Sequence, residues 1–212
     1  MTFDQLLERF HREAFIDYAS VALFFPESAE SIRTALYRFK RGGKLLELRR
    51  GLYAFAERYR KAPLSGPAIA GTLYQPSYLS GIWALAFHGC IPEKVVDYIS
   101  VAPRPTKSFE NDWGRFIYRS VKQAYFFGFR TESIMDASVR IASPEKALVD
   151  LWYLEEGEWT EGRMESMRFE PGTISSESII RTVAAYNQPR LARAAAAWLR
   201  FAQETLEGRV DL

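Results

Sequence analysis

Between Ser31 and Arg50 the chain holds seven basic residues, Arg33, Arg38, Lys40, Arg41, Lys44, Arg49 and Arg50, against one acid, Glu47. The protein as a whole has a net charge of only +2, so this segment concentrates the positive charge rather than sharing a general excess. Residues 1–61 carry a net +4 and residues 62–212 a net −2. A localised block of cations is the electrostatic footprint of a phosphate-bearing partner, although charge alone also fits a solvated basic face. Arginine adds a specific chemistry, because its planar fork can donate two hydrogen bonds to guanine O6 and N7.

The elements around this segment decide how those groups are presented. Thr2 and Gln5 have capping-box spacing, and Phe3, Leu6, Leu7 and Phe10 follow on one helical face. A second, apolar helix is predicted from about Tyr18 to Phe25, ended by Pro26. Ser28 is the next N-cap, and Ile32, Ala35, Leu36 and Phe39 form the buried stripe of a third helix that Gly42 and Gly43 end. The opposite face then presents Ser31, Arg33, Thr34, Tyr37, Arg38 and Arg41. Two apolar runs, Lys44 to Leu48 and Leu52 to Ala56, flank Arg49-Arg50-Gly51 and predict a β-hairpin. Three helices and a hairpin, in that order, predict a winged helix-turn-helix. The predicted DNA contacts are Ser31, Arg33, Thr34, Tyr37, Arg38, Arg41 and Lys44, with Arg49 and Arg50 at the wing tip.

The breaker-rich stretch from Lys61 to Pro67 marks a predicted boundary between a 1–61 DNA-binding domain and a 62–212 domain. The expected fold class is α+β, with a mixed α/β C-terminal domain holding a small sheet and a helical tail. Helices are expected over 67–73 and from Pro76-Ser77-Tyr78-Leu79-Ser80-Gly81 to Gly89. Strands are expected over 95–101, 115–119, 125–130 and 137–142. Ser143-Pro144 starts a helix with Ala147, Leu148, Leu151 and Trp152 inward. An acidic loop or weak helix over 155–170 and helices over 176–187 and 190–207 complete the chain.

Other chemistries are poorly supplied. With 212 residues, 48% apolar and 25% charged, the composition is that of a globular protein. The start of the chain has no signal-peptide pattern and no apolar run is long enough to span a bilayer, so a cytoplasmic, membrane-free protein is expected. One cysteine, Cys90, and two histidines, His11 and His88, cannot build a closed Cys/His zinc site. No phosphate loop, dinucleotide fingerprint or nucleophile elbow is present. None of the seven lysines follows an acid two residues earlier, which argues against nucleases of the acid-x-lysine type. Glu145 with Asp150, or the acids of 155–170, offer carboxylates for Mg²⁺, but an acid early in a helix more often serves the helix dipole and acidic runs are usually solvated. The expectation is therefore a non-enzyme with no metal and no cofactor.

Three segments carry a family resemblance. They are Arg50-Gly51-Leu52-Tyr53-Ala54-Phe55, then Pro76-Ser77-Tyr78-Leu79-Ser80-Gly81 with Ala84-Leu85 and His88-Gly89, then Ile141-Ala142-Ser143-Pro144-Glu145-Lys146-Ala147-Leu148-Val149-Asp150-Leu151. In this order, over roughly residues 28–155, the chain resembles the AbiEi antitoxins of type IV toxin–antitoxin, or abortive-infection, systems. The resemblance implies a winged-helix repressor of its own operon, bound at inverted repeats of double-stranded DNA. It also implies a C-terminal domain that counters a nucleotidyltransferase-type toxin without a stable complex. The alternative is a winged-helix regulator whose C-terminal domain is a ligand sensor or enzyme, with a polar pocket at His88, Glu145, Lys146 and Asp150.

Overall fold

Thr2 and Gln5 exchange the two hydrogen bonds of a capping box, and α1 (Phe3–Phe10) begins there. The computed structural model in which this is seen describes residues 1–210; Asp211 and Leu212, at the end of the second predicted domain, lie outside the described residues. A two-residue strand, β1 (Ile16–Asp17), leads into α2 (Tyr18–Phe24). Ser28 caps α3 (Ala29–Arg41), its Oγ accepting from the Ser31 amide at 3.3 Å. Gly43, at φ +62°, takes the left-handed turn that ends the helix. The hairpin follows as β2 (Leu45–Arg49) and β3 (Leu52–Phe55), with β1 added on the far side of β3.

Asp17 is the N-cap of α2 and accepts from the Ser20 amide at 2.9 Å and the Ser20 hydroxyl at 2.6 Å. Partial burial raises its pKa, but these hydrogen bonds outweigh that and hold the carboxyl below its usual value. Asp17→Ala should cost ~1 kcal/mol in urea denaturation at neutral pH. A carboxylate with a lowered folded pKa stabilises above its unfolded pKa, and that gain is lost as pH falls through the folded value. The gap between wild type and variant should therefore shrink below about pH 4.

Beyond the hairpin come α4 (Gly66–Leu73), β4 (Tyr78–Leu79), α5 (Gly81–Phe87), β5 (Tyr98–Ala102), β6 (Lys107–Asn111) and β7 (Gly114–Ser120). The hairpin β8 (Phe129–Ile134) and β9 (Ala137–Ala142) precedes α6 (Pro144–Leu154), α7 (Glu161–Ser166), α8 (Ser176–Tyr186) and α9 (Pro189–Val210). Six strands form one sheet in the order β6-β7-β5-β4-β9-β8. β5 and β7 run parallel, as do β4 and β9; the other neighbours are antiparallel. The fold is mixed α+β with two sheets.

Several expectations are corrected. Tyr78 and Leu79 do not open a helix but form a strand inside the sheet. Their backbone is paired by β5 on one side and β9 on the other, and a two-residue strand has no periodicity to read. The aromatic run at 125–130 is not a strand at its start: Gln123–Tyr125 is a 3-10 turn with Tyr125 stacked on Tyr186 at 4.3 Å. The strand begins at Phe129 and runs through polar residues on a sheet edge, as does β6, which the sequence reading lacks. The strand expected over 95–101 lies at Tyr98–Ala102.

The hairpin joins two hydrophobic cores. Leu45 and Phe55 pack with Phe3, Leu6, Phe10, Ile32 and Leu36, while Leu48, Leu52 and Ala54 belong to the larger core under the six-stranded sheet. Two polar bonds reinforce this junction. Arg49 Nε donates to Leu73 O at 2.8 Å, and Asn111 Nδ2 donates to Leu48 O at 3.1 Å.

Candidate nucleic-acid interface

The stripe Ile32, Ala35 and Leu36 is buried, so the opposite side of α3 faces outward. Ser31, Arg33, Thr34, Tyr37, Arg38 and Arg41 are all exposed there. The Arg33 guanidinium lies 5.1 Å from the Tyr18 ring centroid, a cation–π contact that orients it without neutralising it. Among the described residues, no carboxylate forms an ion pair with Arg33, Arg38, Arg41 or Arg50. Lys40 is different, because it is paired with Glu47 across the start of the hairpin. Tyr18 also ties the hairpin tip to α2 and α3. Its amide donates to Gly51 O at 2.8 Å, and its ring carries the Arg33 guanidinium.

Two of the nine residues assigned to this surface are engaged elsewhere. Arg49 spends Nε on Leu73 O and Nη1 on the neighbouring Arg50 O, so its head is turned onto the second core. Lys44 is half-buried, with Nζ 4.6 Å from the Phe3 ring centroid. The residues left exposed and not engaged elsewhere are therefore Ser31, Arg33, Thr34, Tyr37, Arg38 and Arg41 on α3, and Arg50 in the hairpin.

A second cluster of chemistry-bearing groups lies inside the larger core. Lys146 and Asp150 sit one turn apart on α6, and both are completely buried. Lys146 Nζ donates to Tyr78 Oη at 2.8 Å, to Tyr186 Oη at 2.6 Å and to Asp150 Oδ1. Tyr186 and Tyr78 each donate onward to Asp150, at 2.6 and 2.9 Å, and Ser80 Oγ donates at 2.7 Å. All three ammonium protons are thus used, and each carboxylate oxygen accepts twice. Burial pushes the Lys146 ammonium down, opposed by Asp150; burial and Asp150 push both tyrosine hydroxyls up. Gly128, at φ +73°, lies over the lysine stem, and a Cβ there would fall 3.0 Å from Lys146 Cγ. The Pro76–Gly81 and Ser143–Leu151 segments meet in this network, which accounts for Tyr78, Ser80, Lys146 and Asp150 as packing and hydrogen-bonding residues. Sequence reasoning missed Tyr186, because nothing local links residue 186 to residues 78 and 150.

The pocket expected under the sensor or enzyme alternative is not assembled at these residues. His88 Nε2 lies 2.8 Å from Ala142 O, Glu145 Oε1 accepts from the Ser175 amide at 3.1 Å, and Lys146 and Asp150 are sealed. Cys90 is buried and its thiol is pushed up by burial, the opposite of an activated nucleophile. Among the described residues, no group of three His, Cys, Asp or Glu is placed to hold a metal, and no helix is long and apolar enough to cross a membrane. No protein-family model matches the chain, and no curated protein matches it either.

Proposed function

We propose that the chain is a regulator that binds double-stranded DNA. In this reading α1–α3 and the β2–β3 hairpin act as a winged helix-turn-helix. The supporting observation is the exposed face of α3, where Arg33, Arg38 and Arg41 form no ion pair among the described residues and stand among hydroxyl-bearing neighbours. A helix of 13 residues with this face outward fits the major groove, with its first turns nearest the bases. The four-residue connection from Phe25 to Ser28 between α2 and α3 matches the turn of such a motif.

The resemblance to AbiEi antitoxins extends the proposal. The chain would repress its own operon at inverted repeats and oppose a nucleotidyltransferase-type toxin in the cytoplasm, without cofactor, catalysis or a stable complex.

Arg33→Ala and Arg38→Ala should each weaken specific binding by ~1–3 kcal/mol and weaken binding to random duplex less. Arg50→Ala should weaken both about equally, as a backbone contact does. Fluorescence anisotropy on the operator and on a scrambled duplex separates these outcomes. Equal losses on both duplexes for the α3 variants would remove α3 as the reading element. For the antitoxin role, the Arg33→Ala, Arg38→Ala double variant should still restore growth when the toxin is expressed from an unrelated promoter. Loss of rescue together with DNA binding would reassign protection to repression.

A further inference from the structure

The larger domain holds a cavity of about 300 Å³ that the DNA-binding reading does not use. It lies between one face of the six-stranded sheet and helices α5, α6 and α7. On β7 the side chains alternate: Phe116 and Tyr118 are completely buried on one face, whereas Ile117 on the other is only half-buried. Ile99, its register partner on β5, is half-buried too. Leu151 of α6, with Trp159 before α7 and Met167 just after it, lines the same space, so this part of the sheet is roofed but not filled.

The rim is cationic. Arg119 Nη2 donates to Leu154 O at 2.7 Å, and its Nη1 is ion-paired with Glu155 Oε1 at 3.7 Å, longer than a hydrogen bond. Arg163 stacks over Trp159 at 3.7 Å and uses Nη1 on Glu156 O at 2.8 Å. Among the described residues, Nε and Nη1 of Arg119 and Nε and Nη2 of Arg163 have no hydrogen-bond acceptor. Among the described residues that line the cavity, two guanidinium groups face one carboxylate, Glu155, which is paired with Arg119, so Arg163 leaves a net positive charge above an apolar floor.

We propose that this cavity binds a small apolar carboxylate, with its chain on Ile99, Ile117 and Leu151 and its head group on Arg119 and Arg163. Apolar walls with a few polar groups at one end are the usual design of a small-molecule site, and 300 Å³ is at the lower end of their range. The volume holds about ten methylene-sized groups, and a guanidinium fork matches a carboxylate in both geometry and charge. The proposal stands apart from the DNA reading, since none of these residues belongs to α3 or the hairpin.

Isothermal titration of the full chain with octanoate and with its neutral analogue octanamide tests it. Octanoate should bind saturably and about tenfold more tightly than octanamide. Ile117→Trp fills the cavity and should abolish binding of both; circular dichroism checks that it folds. Arg119→Gln should leave octanamide binding in place and erase most of the preference for octanoate. Three results would each overturn the proposal. These are no saturable binding at millimolar concentration, equal affinity for the two compounds, and unchanged octanoate binding by folded Ile117→Trp. If Ile117→Trp does not fold, an unchanged preference in Arg119→Gln overturns it as well.

Discussion

Replacing Asp150 with alanine is expected to destabilise the protein by about 3–5 kcal/mol, the cost of leaving a buried ion without its partner. Native domains are stable by only ~5–15 kcal/mol, so the loss should shift the urea midpoint severely. The network explains the size. Lys146 would keep its tyrosine partners but lose its counter-ion, and Ser80, Tyr78 and Tyr186 would each lose an acceptor with no water to replace it. Asp150→Asn preserves shape and accepting oxygen but not charge, and should fall between wild type and Asp150→Ala. The double variant Lys146→Met, Asp150→Leu should be less destabilised than Asp150→Ala alone, since it removes both charges together. A loss below ~1 kcal/mol for Asp150→Ala would mean that this core admits water or rearranges freely.

Affinity for the operator should fall about 150-fold between 50 and 200 mM salt if Arg33, Arg38, Arg41 and Arg50 each neutralise one phosphate. Each contact contributes about −0.9 to the slope of log affinity against log salt, giving about −3.6 for four. Lys44 and Arg49 are left out of the sum because their side chains lie on Phe3 and on Leu73 O. Removing one of the four should reduce the slope by about 1, whereas Arg49→Met should leave it unchanged. A slope near zero would show that the basic face is not the contact surface. A decrease with Arg49→Met equal to that of Arg38→Ala would show that Arg49 leaves Leu73 to reach DNA.

Much of the first sixty residues was legible because their structure is locally encoded. Thr2 with Gln5 and Ser28 with Ser31 cap their own helices, and the spacing of Ile32, Ala35 and Leu36 fixes which side of α3 is buried. Once that stripe is known, the outward position of Arg33, Arg38 and Arg41 follows from 3.6 residues per turn. Ser143-Pro144 announced α6 by the same local logic.

What the sequence did not disclose depends on partners distant in the chain. β4 is a strand only because β5 and β9 pair with it on both sides. β6 and the polar half of β8 are edge strands, where half-solvated side chains leave no apolar alternation. Arg49 looks like a free wing cation in the sequence, but the second core supplies Leu73 O and holds it. The helix start at Ser143-Pro144 put Lys146 and Asp150 on one helix. Only the arrival of Tyr78, Ser80 and Tyr186 from other elements turned two exposable charges into a sealed network. Local capping and periodicity determined the helices and the outward basic face. Long-range pairing decided the sheet, the shared hairpin and the fate of the buried charges; the groups from other elements that satisfy Arg49, Lys146 and Asp150 are 24 to 72 residues away along the chain.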